Sequence, residues 1–317
     1  MTLSPRWRWK LDRWKEQWLG WFLPGERQEG RPRLCPSCGQ LAGVNARRCP
    51  NCGASMTYSL AAASQTFSRL LPSNSPATYG LFSLCCLLYG ISLLLTLRAG
   101  QPAQAAQGLG SIFNIGAINS YVLLGLGARQ TIYILSGHQW WRLVTPIFLH
   151  AALFHLGMNM WVLVDIGPMV EEIYGTPRFL YLFILTGVCS WIASTVWNIF
   201  AGGGYGLGMG ASGALMGLIG LLLAVTSRGH SIQMQMLRSQ LVRWIFYIVL
   251  LGVLMPGIDN AAHFGGLVSG FLIGRIVNDR PPATPAEQKL AYALGWTAGL
   301  VVAASFLAML AQFIHIR

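Results

Sequence analysis

The sequence predicts an all-α membrane protein with seven spanning helices behind a small N-terminal module, and three observations carry that expectation. Of the 317 residues, 54% are hydrophobic and only 10% are charged, less than half the charged fraction of an ordinary globular domain. No Asp, Glu, Lys or Arg occurs between Arg178 and Arg228, a run too long for one helix that crosses the bilayer in about 20 residues. The segment AGGGYG at 201–206 divides that run in two.

The same test along the chain gives apolar spans near 77–97, 146–167, 178–199, 210–227, 241–256, 260–278 and 290–314. The first span begins well inside the chain, after a basic, cysteine-containing region, so it does not read as a cleaved secretory signal. Basic residues set the orientation, because cytoplasmic loops carry the Lys/Arg excess. Arg6, Arg8, Lys10, Arg13, Lys15, Arg27, Arg31, Arg33, Arg47, Arg48 and Arg69 all precede the first span. The expected N-terminus is therefore cytoplasmic, and seven spans put the C-terminus outside a cell (inner) membrane. Arg228, Arg238 and Arg243, and then Arg275, Arg280 and Lys289, also fall inside. The net charge of +12 thus reflects topology and contact with anionic lipid headgroups rather than nucleic acid.

The N-terminal module has three parts. Within residues 1–30, PRWRWKLDRWKEQWLGWF places Trp7, Leu11, Trp14, Trp18 and Trp21 at helical spacing among basic residues, the pattern of an amphipathic helix on the membrane surface. Residues 31–54 contain CPSCGQLAGVNARRCPNCG. Two CxxC knuckles, each followed by glycine, can converge Cys35, Cys38, Cys49 and Cys52 on one tetrahedral ion. A reducing cytoplasmic location argues against disulfides, so a structural Zn2+ in a minimal ribbon is expected, with the metal supplying most of the folding energy. Its membrane tether favours a cytoplasmic protein partner over nucleic acid. Residues 55–76 read as a linker, and Cys85, Cys86 and Cys189 as packing residues. The connection from 98 to 141 exceeds a simple turn and is expected to carry helices of its own, partly sunk in the membrane surface.

Polar groups inside spans are costly and ask for partners or roles. The second span contains HAALFHLGMNMW, in which His155 and Asn159 are four apart and share a helix face. The sixth opens with DNAAHFGGLVSGFLIG, where His263, Gly266, Gly270 and Gly274 recur at helical spacing. The fourth contains GLGMGASGALMGLIG, with Ser212 followed by Gly213, Gly217 and Gly220. Glycine stripes let helices approach closely, and packing the fourth span on the sixth would bring Ser212 to His263. A lone serine among glycines is usually packing and a lone buried histidine usually scaffolding. Together with a donor pair on a third helix, they are the parts that acyl transfer requires.

These residues resemble the rhomboid family of intramembrane serine proteases. The resemblance rests on GASG with Ser212, AHFGGLVSG with His263, HLGMN with His155 and Asn159, WWR at 140–142, and GPMVEEIYG after the second span, in the family's order over roughly residues 115–280. It implies a six-helix core at 77–280, followed at 281–317 by a linker and a seventh transmembrane helix, a variant that exists in the family. It also implies Ser212 as nucleophile, His263 as general base, and an oxyanion site made of His155, Asn159 and the Ser212 backbone N–H. No third catalytic residue is assigned, since Asp165 and Asp259 are not at matching positions. Glu171 is expected to tie a loop to helix ends, Trp141 and Arg142 to anchor the long loop at the interface, and Gly210, Gly213, Gly266 and Gly270 to support the site. His150, five residues from His155, is expected on a different face in a structural role. Substrates would be transmembrane segments of other proteins with small residues near a helix-breaking site. The competing reading is a catalytically inactive rhomboid-like scaffold, against which stands the presence of both Ser212 and His263. Internal repeats of a transporter, an HExxH zinc motif and a pair of intramembrane aspartates are not evident.

Overall fold

The computed structural model describes residues 33–35, 40–43, 46, 48–51, 53, 75–99, 113–201, 206–255 and 257–315. The surface segment expected at 5–22, most of the expected linker, Cys38 and Cys52 lie outside the described residues. The chain divides into two compact units, Met1–Phe67 and Ser68–Arg317.

In the first unit, β1 (Arg33–Leu34) and β2 (Leu41–Ala42) pair antiparallel, with Arg33 opposite Ala42 and Leu34 opposite Leu41. The Cys35 N–H donates to the Gln40 carbonyl at 2.7 Å, and the Gly53 N–H to the Cys49 carbonyl at 2.9 Å. Cys35 and Cys49 are each the first cysteine of a CxxC pair. Gly53, at φ +69°, takes the left-handed conformation open to glycine at little cost.

The second unit is helical. Its long elements are α1 (Pro76–Arg98), α4 (Leu153–Tyr174), α5 (Thr176–Ala201), α6 (Ser212–Thr226), α7 (Ile232–Leu254), α8 (Asn260–Ile276) and α9 (Pro285–His315). Two short helices, α2 (Ser120–Gly125) and α3 (Thr131–Leu135), and two 3-10 turns, Trp140–Leu143 and Thr145–Phe148, occupy the long connection before α4. A helix falls in each of the seven expected spans. Five of them, α1, α4, α5, α7 and α9, are long and apolar enough to cross a membrane. The α6 helix has 15 residues, about 22 Å, short of the ~30 Å hydrocarbon core. From Gly213 to Thr226 every residue except Leu223 is buried, so protein rather than lipid surrounds it.

Two boundaries differ from expectation. The second span begins at Leu153, not near 146, because residues 145–148 with Pro146 form a 3-10 turn. It then continues through Pro168 to Tyr174, so GPMVEEIY lies inside the helix rather than after it, and Gly175 caps its end. The fifth starts at Ile232, with its Ser231 cap, well before its apolar stretch. Arg238 on the added turns donates to the Thr226 carbonyl at the end of α6, one of the carbonyls that a helix terminus leaves without a partner.

Glycine decides the packing at the centre. A Cβ on Gly266 would lie 2.0 Å from the Gly213 carbonyl oxygen, one on Gly270 2.0 Å from that of Gly217, and one on Gly220 2.3 Å from that of Leu267. Helices α6 and α8 therefore meet backbone to backbone. On its other side α6 presses on α5, where a Cβ on Gly217 would reach 2.3 Å from Thr186 Cβ. The α9 helix packs outside α5: Gly295 abuts Pro177, and Phe306 stacks on Phe148 at 5.8 Å between ring centroids.

Glu171 joins three helices. Buried near the end of α4, its carboxylate accepts from the Ala77 and Thr78 N–H groups at 3.0 and 2.9 Å, from Thr78 Oγ1 at 2.7 Å and from Thr176 Oγ1 at 2.8 Å. It thus serves as the acid at the N-terminus of α1, which has no acidic residue in its own first turn, and satisfies free N–H groups there.

Two stability outcomes follow. Gly270→Ala should destabilise the chain by roughly 1–3 kcal/mol through overpacking, while Gly90→Ala, where a Cβ meets nothing within 4 Å, should not; denaturant titration in mild detergent would compare them. Glu171→Gln, which keeps the shape but loses a charged acceptor, should lower stability by roughly 1.5–3 kcal/mol. Equal midpoints for wild type and Glu171→Gln would contradict that role.

Candidate active site

Ser212 is the first residue of α6, after Ala211. The chain reaches it from an extended segment that is fastened twice. Gly208 exchanges two backbone hydrogen bonds with Arg129, at 2.8 and 2.9 Å, and the Gly210 N–H donates to the Pro146 carbonyl at 2.8 Å. Gly210 has φ +122°, and a Cβ there would sit 2.7 Å from His155 Nε2. Glycine at 210 thus permits both the turn into α6 and the approach of the His155 ring.

His263 lies in the first turn of α8, where Asp259 is the N-cap: Asp259 Oδ1 accepts from the Ala262 N–H at 2.9 Å. Because the glycine contacts bring α8 against α6, His263 Nε2 lies 2.7 Å from Ser212 Oγ. Nδ1 of His263 is buried without a partner among the described residues, so no carboxylate orients the ring.

His155 and Asn159 sit one turn apart on α4, as their spacing predicts. The Ala151 N–H donates to His155 Nδ1 at 3.4 Å, which leaves the proton of the neutral ring on Nε2, the nitrogen beside Gly210. Asn159 Nδ2 donates one proton to the His155 carbonyl at 2.8 Å, leaving its second free. His150 does not lie on a separate face of the same helix. It precedes α4, in a non-helical segment, so helical spacing does not apply, and its ring lies 5.2 Å from that of His155.

These groups share a cavity of about 600 Å³ lined by Ser212, His263, His155, Asn159 and Asp259 together with apolar side chains of α4 and α7. The α7 wall is joined to α4 by Asp165, which accepts from Trp244 Nε1 at 2.7 Å and Gln240 Nε2 at 2.8 Å, and by the edge-on contact of Trp161 with Trp244 at 5.2 Å. Among the described residues, none of α9 lines the cavity.

Arg142 does not anchor the loop at the interface as expected. It is turned inward and buried, where Nη1 donates to the Leu124 and Ala128 carbonyls at 2.8 and 2.7 Å and Nε to Gln139 Oε1 at 2.6 Å. Burial pulls its pKa down to about 10, opposed by the Tyr133 ring beneath it. The adjacent Trp141 is half-buried against the core. Gly213, Gly266 and Gly270 lie at the α6–α8 contact. Sequence reasoning missed Arg129, Ser194 and Asp165 as structural partners, since single polar residues far apart in the chain give no periodic signal. The Asp259 cap was missed as well, although an acidic residue opening a helix is a signal that could have found it.

In the first unit, Cys35 and Cys49 are 1% and 2% exposed. Two of the four cysteines are thus buried among the described residues, a setting that thiolate ligands of a metal can occupy.

Residues 137–280 match the Rhomboid domain family. Among curated proteins, the chain is 35% identical over 158 residues to Rhomboid protease GluP of Bacillus subtilis (strain 168), covering 50% of this chain and 30% of that protein. It is 34% identical to RHOMBOID-like protein 1 of Arabidopsis thaliana, covering 51% and 41%, and 35% identical to Rhomboid-like protease 2 of Toxoplasma gondii, covering 46% and 50%. The matches thus span about a third to a half of these relatives' length. The chain is a multi-pass integral membrane protein whose residues 137–280 are similar to the Rhomboid domain family and to these rhomboid relatives.

Proposed function

We propose that the chain is an intramembrane serine endopeptidase that cleaves transmembrane helices of other membrane proteins. The observation that carries this reading is the 2.7 Å contact between Ser212 Oγ and His263 Nε2, held across two helices at the edge of a cavity. As Ser212 Oγ bonds to the scissile carbonyl carbon, its proton passes to His263 Nε2. The oxyanion so formed faces the Ser212 N–H at the start of α6, the Nε2–H of His155 and the free Nδ2–H of Asn159. His263 then gives the proton to the departing amine as the C–N bond breaks. A water next attacks the acyl-enzyme, losing a proton to His263, and Ser212 leaves with that proton.

A cavity that joins polar groups to apolar α7 side chains suits a membrane segment presented with its backbone unwound. Small residues and helix breakers near the cut site lower the cost of exposing a hydrogen-bonded carbonyl. The runner-up, an inactive scaffold that binds membrane helices, would use the same cavity without chemistry. In this reading the N-terminus is cytoplasmic and the C-terminus outside a cell (inner) membrane, since the basic N-terminal module follows the positive-inside rule.

Labelling by a fluorophosphonate serine probe in mild detergent is the test. Wild type should label, and Ser212→Ala and His263→Ala should each lose labelling by roughly 10³-fold or more. A folded wild type that stays unlabelled beside a labelled rhomboid protease control would favour the scaffold.

The N-terminal ribbon is proposed to hold one structural Zn2+ on Cys35, Cys38, Cys49 and Cys52, and to meet a cytoplasmic protein partner. Elemental analysis of the purified full chain should find about one zinc per chain, falling in Cys49→Ser. Four freely alkylated thiols with no zinc would refute it.

A further inference from the structure

Arg129 lies between α2 and α3 and is 1% exposed. Its backbone holds Gly208 through the two hydrogen bonds described above, and its Nη1 donates to the Gly206 carbonyl at 3.3 Å. Its Nη2 donates to Ser194 Oγ on α5 and pairs with Asp259 Oδ2 at 3.3 Å. Ser194 Oγ in turn donates to the same Asp259 oxygen. Asp259 then acts on the helix that bears the histidine: its Oδ1 caps the Ala262 N–H, and its carbonyl accepts from the His263 N–H at 3.1 Å. Gly208 precedes Ser212 by four residues, and Asp259 precedes His263 by four. One side chain therefore reaches both segments that deliver the reacting pair.

We infer that Arg129 is a positioning residue, which sets the separation of Ser212 and His263 by clamping the approach to α6 and the N-terminus of α8 through Asp259. This rests on the protease reading. The chemistry of the clamp requires arginine. The guanidinium is a rigid fork whose separate nitrogens reach Gly206 in one direction and Ser194 with Asp259 in another, whereas an ammonium is a point charge that cannot span both. Burial pulls the Arg129 pKa down and Asp259 opposes this, as expected for a charge that depends on its partner. Asp259 does not act as a third catalytic carboxylate, because His263 Nδ1 has no partner among the described residues. Its influence passes through the main chain.

The test separates rate from folding. In the full chain in mild detergent, fluorophosphonate labelling is followed for wild type, Arg129→Lys, Asp259→Asn and the double variant, with the rate constant at saturating probe measured apart from the final fraction of sites labelled. Thermal unfolding is recorded for each. Arg129→Lys and Asp259→Asn should each lower the rate constant by about 10- to 100-fold, the effect expected of a small misplacement, with half-saturation changed less than about twofold. The double variant should be no slower than the slower single one, since both act through one contact. A wild-type rate constant with only a reduced labelled fraction would show a merely structural role and overturn the inference, as would losses that multiply in the double variant. Should Arg129→Lys fail to fold, Asp259→Asn and Ser194→Ala carry the same comparison. A wild type that does not label overturns the protease reading and this inference together; a labelled wild type matched by Arg129→Lys overturns this inference alone.

Discussion

The backbone contact between α6 and α8 is the constraint on which the rest of the second unit depends. Three glycines, Gly220, Gly266 and Gly270, leave no room for a single Cβ where they face carbonyls or main chain of the partner helix. Such proximity gives up side-chain burial and replaces it with close van der Waals contact, the usual means of joining helices where lipid supplies no hydrophobic driving force between them. It also fixes a distance. A serine at the first position of one helix and a histidine in the first turn of the other can meet at 2.7 Å only if the two axes are held this close.

Around that contact, the chain solves a second problem, which is how to keep polar backbone at membrane depth. The segment leading into Ser212 is extended, and its N–H and C=O groups would be costly in hydrocarbon. They are met instead by Arg129 and Pro146 of the long connection, while Arg142 satisfies carbonyls within that connection. The described part of the loop between α1 and α4, residues 113–152, is therefore part of the core rather than a tether. Its two arginines substitute for the water that a surface loop would use. The seventh long helix, α9, braces this arrangement from outside α5 and leaves the cavity untouched.

The cavity is asymmetric. One wall is the tightly packed group of α4, α6 and α8, which presents the polar side chains. The other is α7, of which only Leu241 and Trp244 are buried. A polar fastening at Asp165 and an aromatic contact at Trp161 join it to α4. The polar side chains and the apolar wall thus fall on different helices.

The sequence by itself determined the helical membrane class, the places of the seven long helices, the glycine stripes and the polar residues that membrane burial makes conspicuous. Each of these is a local or periodic property: apolar length, spacing by turns of a helix, or a costly side chain in an apolar run. The 3-10 turns before α4 and the continuation of α4 past Pro168 were not legible, because proline marks a boundary only on average and tertiary contacts at Glu171 hold the helix beyond it. Nor was the inward turn of Arg142, the nearness of His150 to His155, or the clamp of Arg129 on Gly206 and Asp259. These depend on which distant segments the packed helices bring together, and a single arginine in a loop has the same sequence signature whether it faces water or joins two arms of a buried site. Tertiary structure alone decided that, because the partners of a buried charge are chosen by three-dimensional proximity and not by distance along the chain.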